Sequence, residues 1–450
     1  VGEQKSKRGR NVAIALAAIG LAGFLILCAG ILTWRASSKA KLEKQLDRMR
    51  ANGQPTTAAE LSKHYVIPAG AEDATQLWID ACTPLDTEQF RLAGTDLPIV
   101  GANSPLEIPP PGTPWKEQAA VQQLLNTYAD SMQLMHQATA LGGYARFDHD
   151  FTQGIALLLP NVLSLRSGAG LLKLEAHTNA HRGDPAACLQ SLEAMFTIGR
   201  GVENDPILVS QLVMIALDSM AVQTTVELLP HLQWNDSQLQ RLQELTRRTN
   251  YLATVRNSIL GQQVLGRLAF DNPALMDEEI TQLPGLPLFG NEDQSLYLEL
   301  MGDFIEGTQV SWAESFRAAG SAQTKLTEAT KSPLNRIRYM LTTLVFPAID
   351  AVITAGARAD SYAKLTDVLI AAQRYKLAKS EYPKTIEELV PTYLPSVPID
   401  PHDNAPVRYA LRDGYPIAWC VGIDMVDDDG IGGDKAEPDV ALTLNPSKKD

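Results

Sequence analysis

Asp424, Asp427 and Asp429 place three carboxylates within six residues, beside Gly430 and Gly432. Carboxylates are hard oxygen ligands, glycines let the main chain turn its carbonyls inward, and Ca²⁺ takes about six to eight oxygens. The spacing is not that of an EF-hand, and the same residues also suit a solvent-facing Asp/Gly turn that needs no metal. A second cluster is His177 with His181, four residues apart on one helix face, and Asp184 beyond them. Two such imidazoles can ligate Zn²⁺, but the sequence specifies neither a third ligand nor an acid–base group, and a surface pair is the plainer use. Asp148-His149-Asp150 sets an imidazole between carboxylates, though adjacent side chains diverge on regular elements. Asp277-Glu278-Glu279 is a charge run suited to a solvated helix turn. Glycoside hydrolysis would need carboxylates opposed across a pocket. The sequence contains no HExxH, no Walker phosphate loop and no GxSxG elbow.

The elements that position these residues begin with a membrane-length run. From Asn11 to Trp34 no side chain is charged, and at 1.5 Å per residue the run reaches about 36 Å, enough to cross a bilayer core. Lys5, Lys7, Arg8 and Arg10 precede it. A cleaved signal peptide would have a shorter apolar core and a small-residue cleavage site. Leu27 before Cys28 argues against lipoprotein processing. The expectation is a single-pass anchor in the cell membrane with residues 1–10 as a short cytoplasmic tail and an extracytoplasmic body. Ala18 and Ala22 offer a small-residue face that would suit self-association, without establishing an oligomer.

The net charge is −13, yet the first fifty residues carry ten basic and three acidic side chains. Lys39, Lys41, Lys44, Arg48 and Arg50 thus form a basic collar facing the lipid bilayer, and everything beyond is strongly acidic. Such a body lacks the positive field that phosphate backbones require, which excludes broad nucleic-acid binding. Cys82, Cys188 and Cys420 are too dispersed for a metal quartet or a disulfide framework.

Aromatic residues make up only 6% of the chain, so alanine and leucine must supply most of the packing, which favours helices. The expected class is mainly α: a membrane-anchored helical body followed by a small α+β unit. Residues 35–111 read as juxtamembrane stalk and linker, 112–350 as the helical body, 358–442 as the α+β unit, and 443–450 as a tail. Arg182-Gly183-Asp184-Pro185 reads as a turn between two helices. Around it, Ala176, Ala180, Gly183, Asp184, Ala187, Leu192 and Phe196 resemble one tetratricopeptide-like unit over about 171–200. The apolar stretch from Leu341 to Ile349 is bracketed by Arg338 and Asp350, too short to cross a membrane, and reads as a helix packed on the body.

Near the C-terminus, a helix from Ala359 to Lys379 precedes two apolar alternations around Asp413-Gly414-Tyr415, which read as a hairpin, and a short strand at Val440-Ala441-Leu442. Tyr375, Tyr382-Pro383, Leu389, Tyr393-Leu394-Pro395, Asp400-Pro401 and Tyr409 occur there in order, followed by Gly414, Asp424, Asp427-Asp428-Asp429-Gly430 and Gly432-Gly433. This ordered set resembles the globular end of type II secretion major pseudopilins over about residues 358–442. The resemblance implies a helix-plus-sheet fold and a calcium-binding acidic loop, carried onto Asp424, Asp427 and Asp429, with Asp434 as a further position. The usual Glu near a processed N-terminus is absent, and some 300 residues separate the anchor from the matching unit. The functional expectation is a membrane-tethered, noncatalytic scaffold or protein-binding component of the cell envelope, related to secretion. The alternative is an envelope hydrolase acting on polysaccharide or peptide in a pocket of the helical body.

Overall fold

A computed structural model describes residues 2–101, 106–275, 286–430 and 439–445. Asp277, Glu278, Glu279 and Asp434 lie outside the described residues. Among the described residues the chain is mainly helical, with one small three-stranded sheet. In order, the helices are α1 (Gly2–Ala51), α2 (Ala58–His64), α3 (Thr75–Cys82), α4 (Glu88–Gly94), α5 (Gln118–Thr127), α6 (Ala129–Ala140), α7 (Pro160–His181) and α8 (Pro185–Ile198). They continue as α9 (Leu208–Leu228), α10 (Asp236–Thr246), α11 (Tyr251–Asp271), α12 (Leu286–Val310), α13 (Trp312–Ala329), α14 (Pro333–Arg338), α15 (Met340–Val345) and α16 (Pro347–Lys379). The strands are β1 (Arg408–Arg412), β2 (Tyr415–Cys420) and β3 (Val440–Thr443), antiparallel in that order.

The apolar run and the stalk are one helix. The first interruption is at Asn52-Gly53, where Gly53 takes a φ of 68° that a Cβ would resist. Among its later turns, Ser38, Leu42, Leu46 and Met49 recur every three or four residues and are buried, so α1 leaves solvent along one face and packs on α12. Thr57 then caps α2 by accepting from the Glu60 amide at 3.2 Å.

Among the described residues, three helical stretches are long and apolar enough to cross a membrane by length and composition: Ala18–Ala51, Leu208–His231 and Met340–Lys379. The first has none of its apolar window buried in the protein, whereas the other two are 67% and 56% buried. The latter pair therefore packs as core helix. α9 sits centrally against α7, α8, α11 and α16. The α7–α8 hairpin closes at Gly183, φ 70°, and Asp184 caps α8 by accepting from the amides of Ala186 and Ala187 at 3.1 and 3.0 Å.

α16 starts at Pro347, twelve residues before the helix expected from periodicity. Proline has no amide hydrogen to miss at a helix start, so it opens this helix. Its face packs on α9, α10 and α11 and also on β2 and β3, so one helix belongs to the body and to the sheet unit alike. The β1–β2 hairpin turns through Asp413 and Gly414, φ 54° and 82°, as an Asp-Gly pair in a two-residue turn requires.

Candidate functional site

Where the end of α1 meets α11 and α12, a cavity of about 430 Å³ opens. Its wall carries Gln45 of α1, Asn52 and Gln54 of the following turn, Gln263 of α11 and Gln309 of α12. Five carboxamides present paired donors and acceptors without charge. Arg48 and Glu306 cross the same cavity as an exposed ion pair joining α1 to α12. Gln263 is 1% exposed, and its Oε1 has no hydrogen-bond partner. A buried acceptor left without a donor costs about 1–3 kcal/mol. The lining holds a single carboxylate, Glu306, already engaged by Arg48, whereas glycosidase chemistry needs two opposed about 5–10 Å apart.

The acidic loop is organised from within. Asp427 Oδ1 accepts from the Trp419 indole at 2.9 Å and from the Asp429 amide at 3.0 Å, and its Oδ2 faces Arg408 Nε at 3.2 Å. Burial pushes the Asp427 carboxyl up, but those hydrogen bonds and the Arg408 charge prevail and hold it below the usual value. Asp424 accepts from the Val426 amide at 3.1 Å, and Arg412 donates to the Asp429 carbonyl. Asp439, which the sequence did not single out, ties the loop to β3 by accepting from the amides of Asp428 and Gly430 at 2.9 and 2.8 Å. Among the described residues no three His, Cys, Asp or Glu side chains group as metal ligands. The guanidinium of Arg408 also reaches Asp403 and the fully buried Asp400, at 2.5 Å from the latter, so the positive charge beside Asp427 is the protein's own.

The histidine candidates separate. His177 is buried and points at Glu227, 3.3 Å away, while His181 Nε2 lies 2.9 Å from the Pro109 carbonyl and packs on Trp115. Burial lowers the His177 pKa. His149 turns away from its sequence neighbours: Tyr65 stacks on it, and its Nε2 is 2.9 Å from Asp205 Oδ2, which accepts from Ser210 Oγ at 2.6 Å. The carboxylate stands between hydroxyl and imidazole, so the serine donates to the carboxylate and not to the imidazole, unlike a nucleophilic triad.

No family model matches the chain, and no curated protein or solved structure matches it either.

Two features escaped the sequence reading. One is the carboxamide cavity, whose members are spread from Gln45 to Gln309; the local signal was the density of amides around Asn52. The other is a buried polar cluster, in which Asp218 accepts from Tyr251 at 2.8 Å and Thr249 at 3.3 Å. Burial pushes Asp218 up to about 6 and Arg248 down to about 10. Glu203 is also raised by burial, and Arg200 lies 3.7 Å from it. These charges compensate one another inside the helix stack, as buried ionic groups must.

Proposed function

We propose that this chain is a membrane-tethered, noncatalytic scaffold of the cell envelope that binds a partner polypeptide at the joint between its anchor and its body. The observation that carries the reading is the cavity where α1 meets α11 and α12, with its five carboxamides. A carboxamide donates and accepts at once, as a peptide main chain does, so neutral amide ladders suit extended polypeptide. The exposed apolar face of α1 supports a single-pass anchor, and the pseudopilin resemblance supports a secretion-related assembly with the body extracytoplasmic.

The test is site-directed photo-crosslinking from position 309 in intact membranes, comparing the native pocket with Gln54→Ala plus Gln45→Ala. A discrete adduct lost in the double variant supports the proposal. The same adducts with both proteins, or none, would overturn it. Protease access to the body in sealed and opened membranes tests the orientation separately.

A further inference from the structure

From Ala329 to Ile349 the chain carries Lys331, Arg336 and Arg338 and no acidic residue, within a protein of net charge −13. Most of this stretch folds as α14 and α15. Leu334, Ile337 and Leu344 are 56%, 49% and 54% exposed, and Lys331 and Arg336 are exposed beside them. Leu334 and Ile337, three apart on α14, share a face. Isolated exposed aliphatics need no explanation, but three in eleven residues with cations and no anion between them match the composition of an interfacial segment, with Lys331 just before them 3.8 Å from the exposed Glu328.

The fold puts this surface at the height of the membrane edge. The Arg338 guanidinium lies 5.7 Å from the ring of Trp34, the residue that ends the apolar run. Along that run, Cys28 and Trp34 are half-buried while the other described residues from 18 to 33 are exposed. The protein therefore begins to cover α1 inside the apolar run, about 9 Å before its end. The segment is also pinned: Asp293 of α12 accepts from the amides of Leu341 and Thr342 at 3.0 and 3.2 Å and from the Thr342 hydroxyl at 2.6 Å, holding the start of α15.

We propose that α14 and α15 form an interfacial foot, resting in an anionic phospholipid headgroup layer beside the anchor. Leu334, Ile337 and Leu344 enter the acyl boundary, and Lys331 and Arg336 meet lipid phosphate. The body then touches the membrane at two places, which fixes its rotation about the α1 axis. This inference rests on residues 11–34 spanning the bilayer.

The experiment uses the full chain with Cys28→Ser, reconstituted in phosphatidylcholine–phosphatidylglycerol vesicles whose acyl chains are brominated. An environment-sensitive fluorophore is placed through Leu344→Cys or, as the anchor reference, Ile26→Cys; Cys82, Cys188 and Cys420 are buried and stay unlabelled in the folded protein. Quenching at both positions, weakened at 344 alone by Lys331→Gln with Arg336→Gln, supports the foot. Quenching at 26 without quenching at 344 overturns it and leaves the anchor standing, the result expected if this face instead docks a protein partner. Quenching at neither position overturns the anchor as well. Quenching at 344 that ignores the two charge changes overturns the contact with phosphate.

Discussion

Replacing Arg408 with methionine should loosen the sheet from α16 far more than its place on a half-buried strand suggests. The guanidinium lies 2.5 Å from Asp400 Oδ2, whose side chain is fully buried, and Arg408 itself is only 19% exposed. Asp400 keeps two backbone donors, the Val421 amide and the His402 amide, each at 2.8 Å, and the His402 ring at 3.3 Å, but would lose the guanidinium. Stranding one member of a buried pair costs about 3–5 kcal/mol. The Asp427 contact, with a side chain 42% exposed, adds no more than about 1 kcal/mol. At about 1.4 kcal/mol per decade, local opening of β1 and β2 becomes roughly 10²- to 10⁴-fold more frequent. Hydrogen exchange followed by mass spectrometry on peptides from β1 and β2 reads this directly. Adding Asp400→Asn to Arg408→Met should restore much of the protection, because the stranded charge is gone. An acceleration below tenfold in the single variant would refute the reasoning.

Other expectations follow from the same kind of geometry. Burial raises the Asp293 carboxyl to about 7, so the native state keeps a proton that the unfolded chain releases near pH 4. The associated stability is complete below that pH and is lost as pH rises through about 7, some 4 kcal/mol in all. Asp293→Asn should flatten denaturation midpoints between pH 4 and 7, and an unchanged slope would count against that carboxyl. A Cβ at Gly261 would lie 1.6 Å from the Pro206 carbonyl oxygen, so Gly261→Ala should lower stability by about 1–3 kcal/mol in urea titration. With Arg408 seated at Asp427, millimolar calcium should leave the thermal midpoint of the full chain unchanged. A rise abolished by Asp424→Asn with Asp429→Asn would show instead that the loop takes metal.

Local signals in the sequence were read well where the chemistry was local. Asp413-Gly414 announced the hairpin because two consecutive positive φ values leave few residue choices, and Gly183-Asp184 announced the α7–α8 turn for similar reasons. Residues 35–111 read as stalk and linker, and α1 runs unbroken through the first part of them to Ala51. Pro347 marked a boundary, but not the start of a 33-residue helix, since proline signals only that the preceding chain cannot continue as helix through it. The contacts that give side chains their roles were not legible. His149 meets Asp205 across 56 residues, and Arg408 gathers Asp400, Asp403 and Asp427 by hairpin geometry. The acidic run showed its charge without showing the cation that the fold would set against it.

The unbroken passage of α1 from its apolar run into the core has a mechanical consequence. Met49 lies about 22 Å along the helix beyond Trp34, with no hinge before Gly53. A helix tilted by about 20° in its bilayer would carry that point roughly 8 Å sideways. With residues 11–34 in a bilayer, as proposed, the helix is a lever with its longer arm in lipid, and the cavity sits at the tip of the shorter arm. Changes in bilayer thickness that alter the tilt would then load the α1–α12 contact, where Gln45 and Arg48 line the cavity with Glu306 and Gln309. Membrane geometry would then become an input to the shape of the pocket.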